Sequence, residues 1–133
     1  MPTVEIVTAA LPANRKRAIA VRLTRWLVNR GVTASHVVVS FTDESRNSLF
    51  SGGMPIDAIT PRPPAPAHAR VVCCIGANRD DRFRDELADE LVAALATADR
   101  DGFVYVEFRP IESPLVYLAH GGRLSRADQV VST

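Results

Sequence analysis

The chain repeats itself, and the repeat constrains its fold more than any other feature. Val4, Val37, Val39 and Phe41 recur 67 positions later as Val71, Val104, Val106 and Phe108. Ile19, Leu23 and Leu27 recur 68 positions later as Leu87, Leu91 and Leu95. The extra step falls on the helical positions alone. The loop before the second helix has therefore gained a residue, and the loop after it has lost one. In 133 residues the two units share a single domain, 1–133, instead of forming two independent ones.

Each unit reads strand, helix, strand. Residues 2–11 (PTVEIVTAAL) are rich in β-branched side chains and predict a strand. Asn14 can cap a helix from about Arg15 to Arg30, with Ile19, Leu23, Trp26 and Leu27 on one face and Gly31 as its stop. His36 to Phe41 predicts a second strand, and residues 47–53 (NSLFSGG) a short strand ending in a turn. The pattern restarts with Arg70 to Ile75, a helix from Asp80 or Asp81 to about Ala98, and the strand Phe103 to Phe108. Leu115 to Leu118, followed by Gly121-Gly122, mirrors the earlier turn. Residues 55–68 hold five of the nine prolines and read as an extended linker between a first unit, 2–54, and a second, 69–124. Residues 125–133 form a tail.

The expected architecture is α/β (α+β): two tandem β-α-β units forming one four-stranded sheet with both helices on one face. Each crossover is right-handed. The uncovered face predicts an oligomer. The first helix carries six basic residues between Arg15 and Arg30 and no acid, whereas the second is dominated by Asp and Glu. Side by side, the two helices are electrostatically complementary.

Several function classes are excluded. The longest apolar run, Val71 to Ala77, is too short to cross a membrane, and Glu5 interrupts the N-terminal apolar segment, unlike a secretory signal; a cytoplasmic location is expected. A net charge of +1 without an aromatic stacking set argues against nucleic acid. The only cysteines, Cys73 and Cys74, are adjacent, so neither a disulfide framework nor a CxxC metal site can be built. No phosphate-binding glycine loop or GxSxG elbow is present. Lys16 is the sole lysine, and every other basic residue apart from three histidines is Arg. His36 and His68 carry no signal beyond that of solvated histidines.

The start Met-Pro, the two β-α-β units, the stretches TDESRNSLFSGG (42–53), IGANRDDR (75–82) and VYVEF (104–108), and a Gly-Gly turn in each half together resemble the tautomerase superfamily. The likeness covers residues 2–124. It is greatest for the fused cis-chloroacrylic acid dehalogenase branch, with the macrophage migration inhibitory factor branch next. The resemblance implies removal of Met1 and catalysis by the secondary amine of Pro2. An unperturbed α-amino group titrates near 7.7–8.0, and burial or a neighbouring cation lowers that value, so such an amine can be a free base at neutral pH. Ala69, the repeat counterpart of Pro2, lies inside the chain, so one site per chain is expected.

By the same resemblance Arg79 and Arg82, an Arg-x-x-Arg pair, would hold a substrate carboxylate, a ligand that matches the guanidinium fork. Tyr105 and Glu107, on one face of their strand, and His120 beside the second Gly-Gly turn would line the pocket. The dehalogenase's catalytic histidine aligns with Leu27, its strand tyrosine with Glu107, and its water-activating glutamate falls near Leu118 to His120, where no acid stands. A tautomerase arginine of the second strand corresponds to Val38. The expected activity is therefore cofactor-independent keto–enol tautomerisation of a small 2-keto or 2-hydroxyenoate acid by a homotrimer, with no metal. The alternatives are 3-haloacrylate dehalogenation or hydration, decarboxylation, or a non-catalytic oligomeric module.

Overall fold

The computed structural model describes residues 2–45, 48–55, 68–95 and 103–129. Most of the expected linker, 56–67, and the residues beyond 129 lie outside them. Strand β1 (Thr3–Thr8) leads to helix α1 (Ala13–Val28), a 3-10 turn (Ala34–His36) and strand β2 (Val38–Asp43). A small hairpin follows, β3 (Phe50–Ser51) and β4 (Met54–Pro55). The second unit is β5 (His68–Gly76), α2 (Asp81–Leu95), β6 (Phe103–Ile111), a 3-10 turn (Ser113–Leu115) and the hairpin β7 (Tyr117–His120) and β8 (Arg123–Arg126). The fold class expected from the sequence is the one observed: a four-stranded mixed sheet, order β2-β1-β5-β6, with both helices on one face.

The repeat survives in the hydrogen-bond register. Val4 pairs with Val39 and Val71 with Val106, so both parallel pairs have the same offset, 39 − 4 and 106 − 71. Strands β1 and β5 run antiparallel, and Glu5 pairs with Val72, its own repeat counterpart. A local two-fold axis passes between those two residues. Arg22 and Glu90 are also repeat counterparts, and they meet across the same axis, with the Arg22 guanidinium donating to Glu90 at 2.6 Å. A second cross-helix pair joins Arg30 and Glu86 at 3.6 Å, so the charge complementarity of the two helices is realised. Reversing one charge, Arg22→Glu, is expected to lower the melting temperature by roughly a few degrees. Adding Glu90→Arg should restore it, and 1 M salt should shrink both changes. An unchanged melting temperature in the single variant would show that the pair contributes nothing.

Side-chain alternation builds the core. Val4, Ile6 and Thr8 of β1 and Ala69, Val71, Cys73 and Ile75 of β5 face the helices. There they meet Ile19, Leu23 and Leu27 of α1 and Leu87, Leu91, Ala94 and Leu95 of α2. Each buried leucine contributes about 1.5–3 kcal/mol relative to exposure. Burial also pushes the Cys73 thiol up to about 12, which leaves it protonated and inert at neutral pH.

Local details depart from the sequence expectation. Helix α1 begins at Ala13 after Pro12, so Asn14 lies inside its first turn and does not cap it. Asp80 does cap α2, accepting from the Phe83 N–H at 2.9 Å. Both Gly-Gly pairs are hairpin turns, with φ of +58° and +79° at Gly52 and Gly53 and +57° and +76° at Gly121 and Gly122. Two successive positive φ values suit a two-residue hairpin and favour glycine. The returning strands β4 and β8 are short and β8 shows no period-two alternation, and β8 reaches Arg126, two residues into the expected tail. No helix among the described residues is long and apolar enough to cross a membrane.

Candidate active site

The antiparallel pairing of β1 with β5 decides where the site lies. Thr3 pairs with Cys74, so the start of β1, where Pro2 stands, lies beside the end of β5 and the loop to α2. Thr3 also pairs with Val38, and the Val38 N–H donates to the Pro2 carbonyl at 3.1 Å, which brings the start of β2 to the same place. Gly76 pairs with Ile111, which adds the end of β6. Four strand ends therefore converge around Pro2, which is buried. Gly76, at the end of β5, also lines a cavity of about 310 Å3 together with His36, Asn78, Arg79 and Ser113, whereas Pro2 is not among its lining residues.

Arg79 is set there by the turn after β5. Its N–H donates to the Gly76 carbonyl at 3.1 Å, and its own carbonyl accepts from the Arg84 guanidinium at 2.8 Å. Its guanidinium lies 4.4 Å from the centre of the Phe83 ring. Phe83 packs on Trp26 at 5.8 Å, and Arg30 covers Trp26 at 3.5 Å. Stacking leaves the edge of a guanidinium free to donate, so this column orients Arg79 without consuming its hydrogen bonds. A Cβ added at Gly76 would stand 2.7 Å from Asn78 Oδ1, so glycine there lets Asn78 fold over the cavity rim.

His36 is the residue that the sequence reading passed over. It is buried, it lines the cavity, and it ends the 3-10 turn that leads into β2. Its pKa is lowered, first by burial and then by the positive charges of the chain's amino terminus and of His120. The repeat carries no signal of it; only the register of β1 on β2, an offset of 35, sets Pro2 opposite Val37, one residue from His36.

The other candidates divide. His120 is exposed, but its Nε2–H donates to the Ser35 carbonyl at 3.1 Å and so holds the turn that carries His36. Arg82 does not join Arg79. Its side chain is 86% exposed and its Nε donates to Glu86 at 3.0 Å, one helical turn along and away from the cavity. The reason is geometric: Arg79 lies in the loop, whereas Arg82 lies inside α2, where its side chain follows the helix surface. Tyr105 and Glu107 are not among the cavity's lining residues either. They lie on the sheet face away from the helices, where Tyr105 pairs with Arg70 and Glu107 with Val72.

On that face they form a ladder. The Tyr105 hydroxyl donates to Glu107 at 3.0 Å, and Arg109 Nε donates to the other carboxylate oxygen at 2.7 Å. The hydrogen bond from Arg109, then that from Tyr105, lowers the Glu107 pKa. The bond to Glu107 raises that of Tyr105. Glu107 is thus an ionised acceptor at neutral pH and poorly suited to donating a proton.

The far end of the sheet, related by the local two-fold, has a different chemistry. Ala69 is buried, the Thr8 hydroxyl donates to the His68 carbonyl at 2.7 Å, and His68 Nε2 stands 3.3 Å from Glu44.

No family profile and no curated protein matches this sequence. Solved structures do match its fold. A native fused 4-OT superposes with a TM-score of 0.66 at 24% identity, covering 91% of this chain and 94% of its own. N1, a member of the cis-3-chloroacrylic acid dehalogenase family, gives 0.68 at 17% identity, with 95% and 85% covered. Macrophage migration inhibitory factor from Toxoplasma gondii gives 0.66 at 16% identity, with 92% and 99% covered. A further fused 4-OT of this fold is an asymmetric trimer. The chain shares the fold of these structures, which is the fold that the sequence resemblance implied.

Proposed function

We propose that the protein is a cofactor-independent keto–enol tautomerase of small 2-keto or 2-hydroxyenoate acids. One observation supports this reading: Pro2 is buried at the start of β1, beside the end of β5, whose Gly76 lines the cavity that also holds Arg79. With Met1 removed, Pro2 offers a secondary amine whose burial lowers its pKa from the ordinary range of about 7.7–8.0, so that amine and ammonium are both accessible near neutral pH. Arg79 grips the substrate carboxylate. Hydrogen-bond donors around the carbonyl stabilise the developing enolate, usually the largest contribution to such a reaction. Arg82, committed to Glu86, is assigned no direct contact.

A homotrimer accompanies the proposal. Phe50 and Met54 on one hairpin and Tyr117 and Leu124 on the other are each more than half exposed, apolar surface that a neighbouring subunit would cover.

The test is ketonisation of a phenylpyruvate-like or muconate-like enol, followed by the loss of its ultraviolet absorbance. The enzyme should accelerate it well above buffer. Halide release from 3-haloacrylates without ketonisation would replace this reading with a dehalogenase. Neither activity would leave a non-catalytic oligomeric module.

A further inference from the structure

We infer that His36 is a second proton-transfer group of this site, acting on the substrate oxygen while Pro2 acts on carbon. The inference rests on the Pro2 reading above. Its ground is geometry: a buried imidazole lines the same cavity as Arg79, one residue from the position opposite Pro2, in a turn anchored by His120 through the Ser35 carbonyl.

Among the described residues, the charged and titratable groups around His36 are Arg79 from the loop after β5 and His120 from β7, to which the chain's amino terminus adds its charge. The polar lining residues Thr33, Asn78, Ser113 and Gln129 carry no charge. Burial first, and then the charges of the amino terminus and His120, lower the His36 pKa and so favour the neutral imidazole, with a lone pair ready to accept.

The protons balance within the pair. In ketonisation the neutral imidazole takes the enol hydroxyl proton, and the O–H electrons become the C=O π bond. The C=C pair then takes a proton at C3 from the Pro2 ammonium. The pair starts and ends with one proton, which returns from His36 to Pro2 before the next turnover. In the reverse direction neutral Pro2 removes the C3 proton and protonated His36 delivers one to oxygen. Only the singly protonated pair is active, so kcat/KM should be bell-shaped in pH.

The experiment compares three proteins in the ketonisation assay across pH 5 to 10: wild type, His36→Gln, and a form with Pro2 blocked by an N-terminal extension. His36→Gln should lose about 10²-fold or more in kcat. It should also lose the alkaline limb of the profile, because a lone amine shuttling both protons needs only its neutral form. Imidazole added to His36→Gly should restore rate in proportion to its concentration. If His36→Gln keeps the wild-type rate and both limbs while the blocked protein is inactive, the role of His36 is refuted and the Pro2 reading stands. If the blocked protein equals wild type, the Pro2 reading fails first. Should the variants not fold, histidine NMR of wild type decides. The His36 resonances should shift when pyruvate is added, and their indifference to saturating pyruvate would overturn the proposal.

Discussion

A version of this protein with Pro2 held inside a peptide bond, by retained Met1 or an added tag, is expected to lose ketonisation by about 10²- to 10⁴-fold. A peptide nitrogen has no basic lone pair, so the extension removes the base without removing a side chain. The fold should not notice. The Pro2 carbonyl would still accept from Val38, and β1 would still pair with β2 and β5 from Thr3 onward. Size-exclusion chromatography and circular dichroism should therefore match the processed protein. Pro2→Ala should be milder, because a primary amine with an ordinary pKa of about 7.7–8.0 remains at that place. The ordering is the test: the extension must cost more than the substitution. Equal activity in extended and processed protein, with mass spectrometry confirming both N-termini, would refute amine catalysis.

Arg79→Ala is expected to lower kcat/KM by about 10- to 150-fold, the cost of one hydrogen-bonded charge partner to a carboxylate. Most of that loss should appear in KM, since the carboxylate is held in ground state and transition state alike. Arg79→Lys should recover only part of it. An ammonium cannot supply the fork, and it stacks less well on Phe83. Arg82→Ala should change kcat/KM by no more than about twofold, because a solvated helix pair with Glu86 contributes little. The two arginines stand three residues apart in one motif, yet their expected effects differ by at least fivefold. Comparable losses in both would mean that Arg82 leaves Glu86 to hold substrate, and the assignment to Arg79 alone would fall.

That contrast shows where sequence reading reached and where it stopped. The repeat of Val4 in Val71 and of Leu23 in Leu91 fixed the strand and helix faces, because alternation and helical spacing are local properties. Those same residues are the buried core. The Arg-x-x-Arg spacing could not show that a helix begins between its two members. Asp80 caps α2 between them, so one arginine stays in the loop and the other joins the helix surface. Tyr105 and Glu107 were correctly placed on one face of β6, but which face looks at the cavity depends on where the helices pack. The helices took the other one, with Val104, Val106 and Phe108 against the core.

By itself, then, the sequence determined two β-α-β units, a shared four-stranded sheet, complementary helices and a resemblance whose implied fold is the one observed. Tertiary structure decided the membership of the cavity: Arg79 with His36 in its wall and His120 behind it, Arg82, Tyr105 and Glu107 elsewhere. The physical reason is that β1 and β5 pair antiparallel about a two-fold axis. No local pattern in either strand encodes the direction of its partner. That one long-range choice brings the start of the first unit, with its buried proline, to the end of the second unit's first strand, beside the cavity wall shared by His36 and Arg79, 43 residues apart (79 − 36).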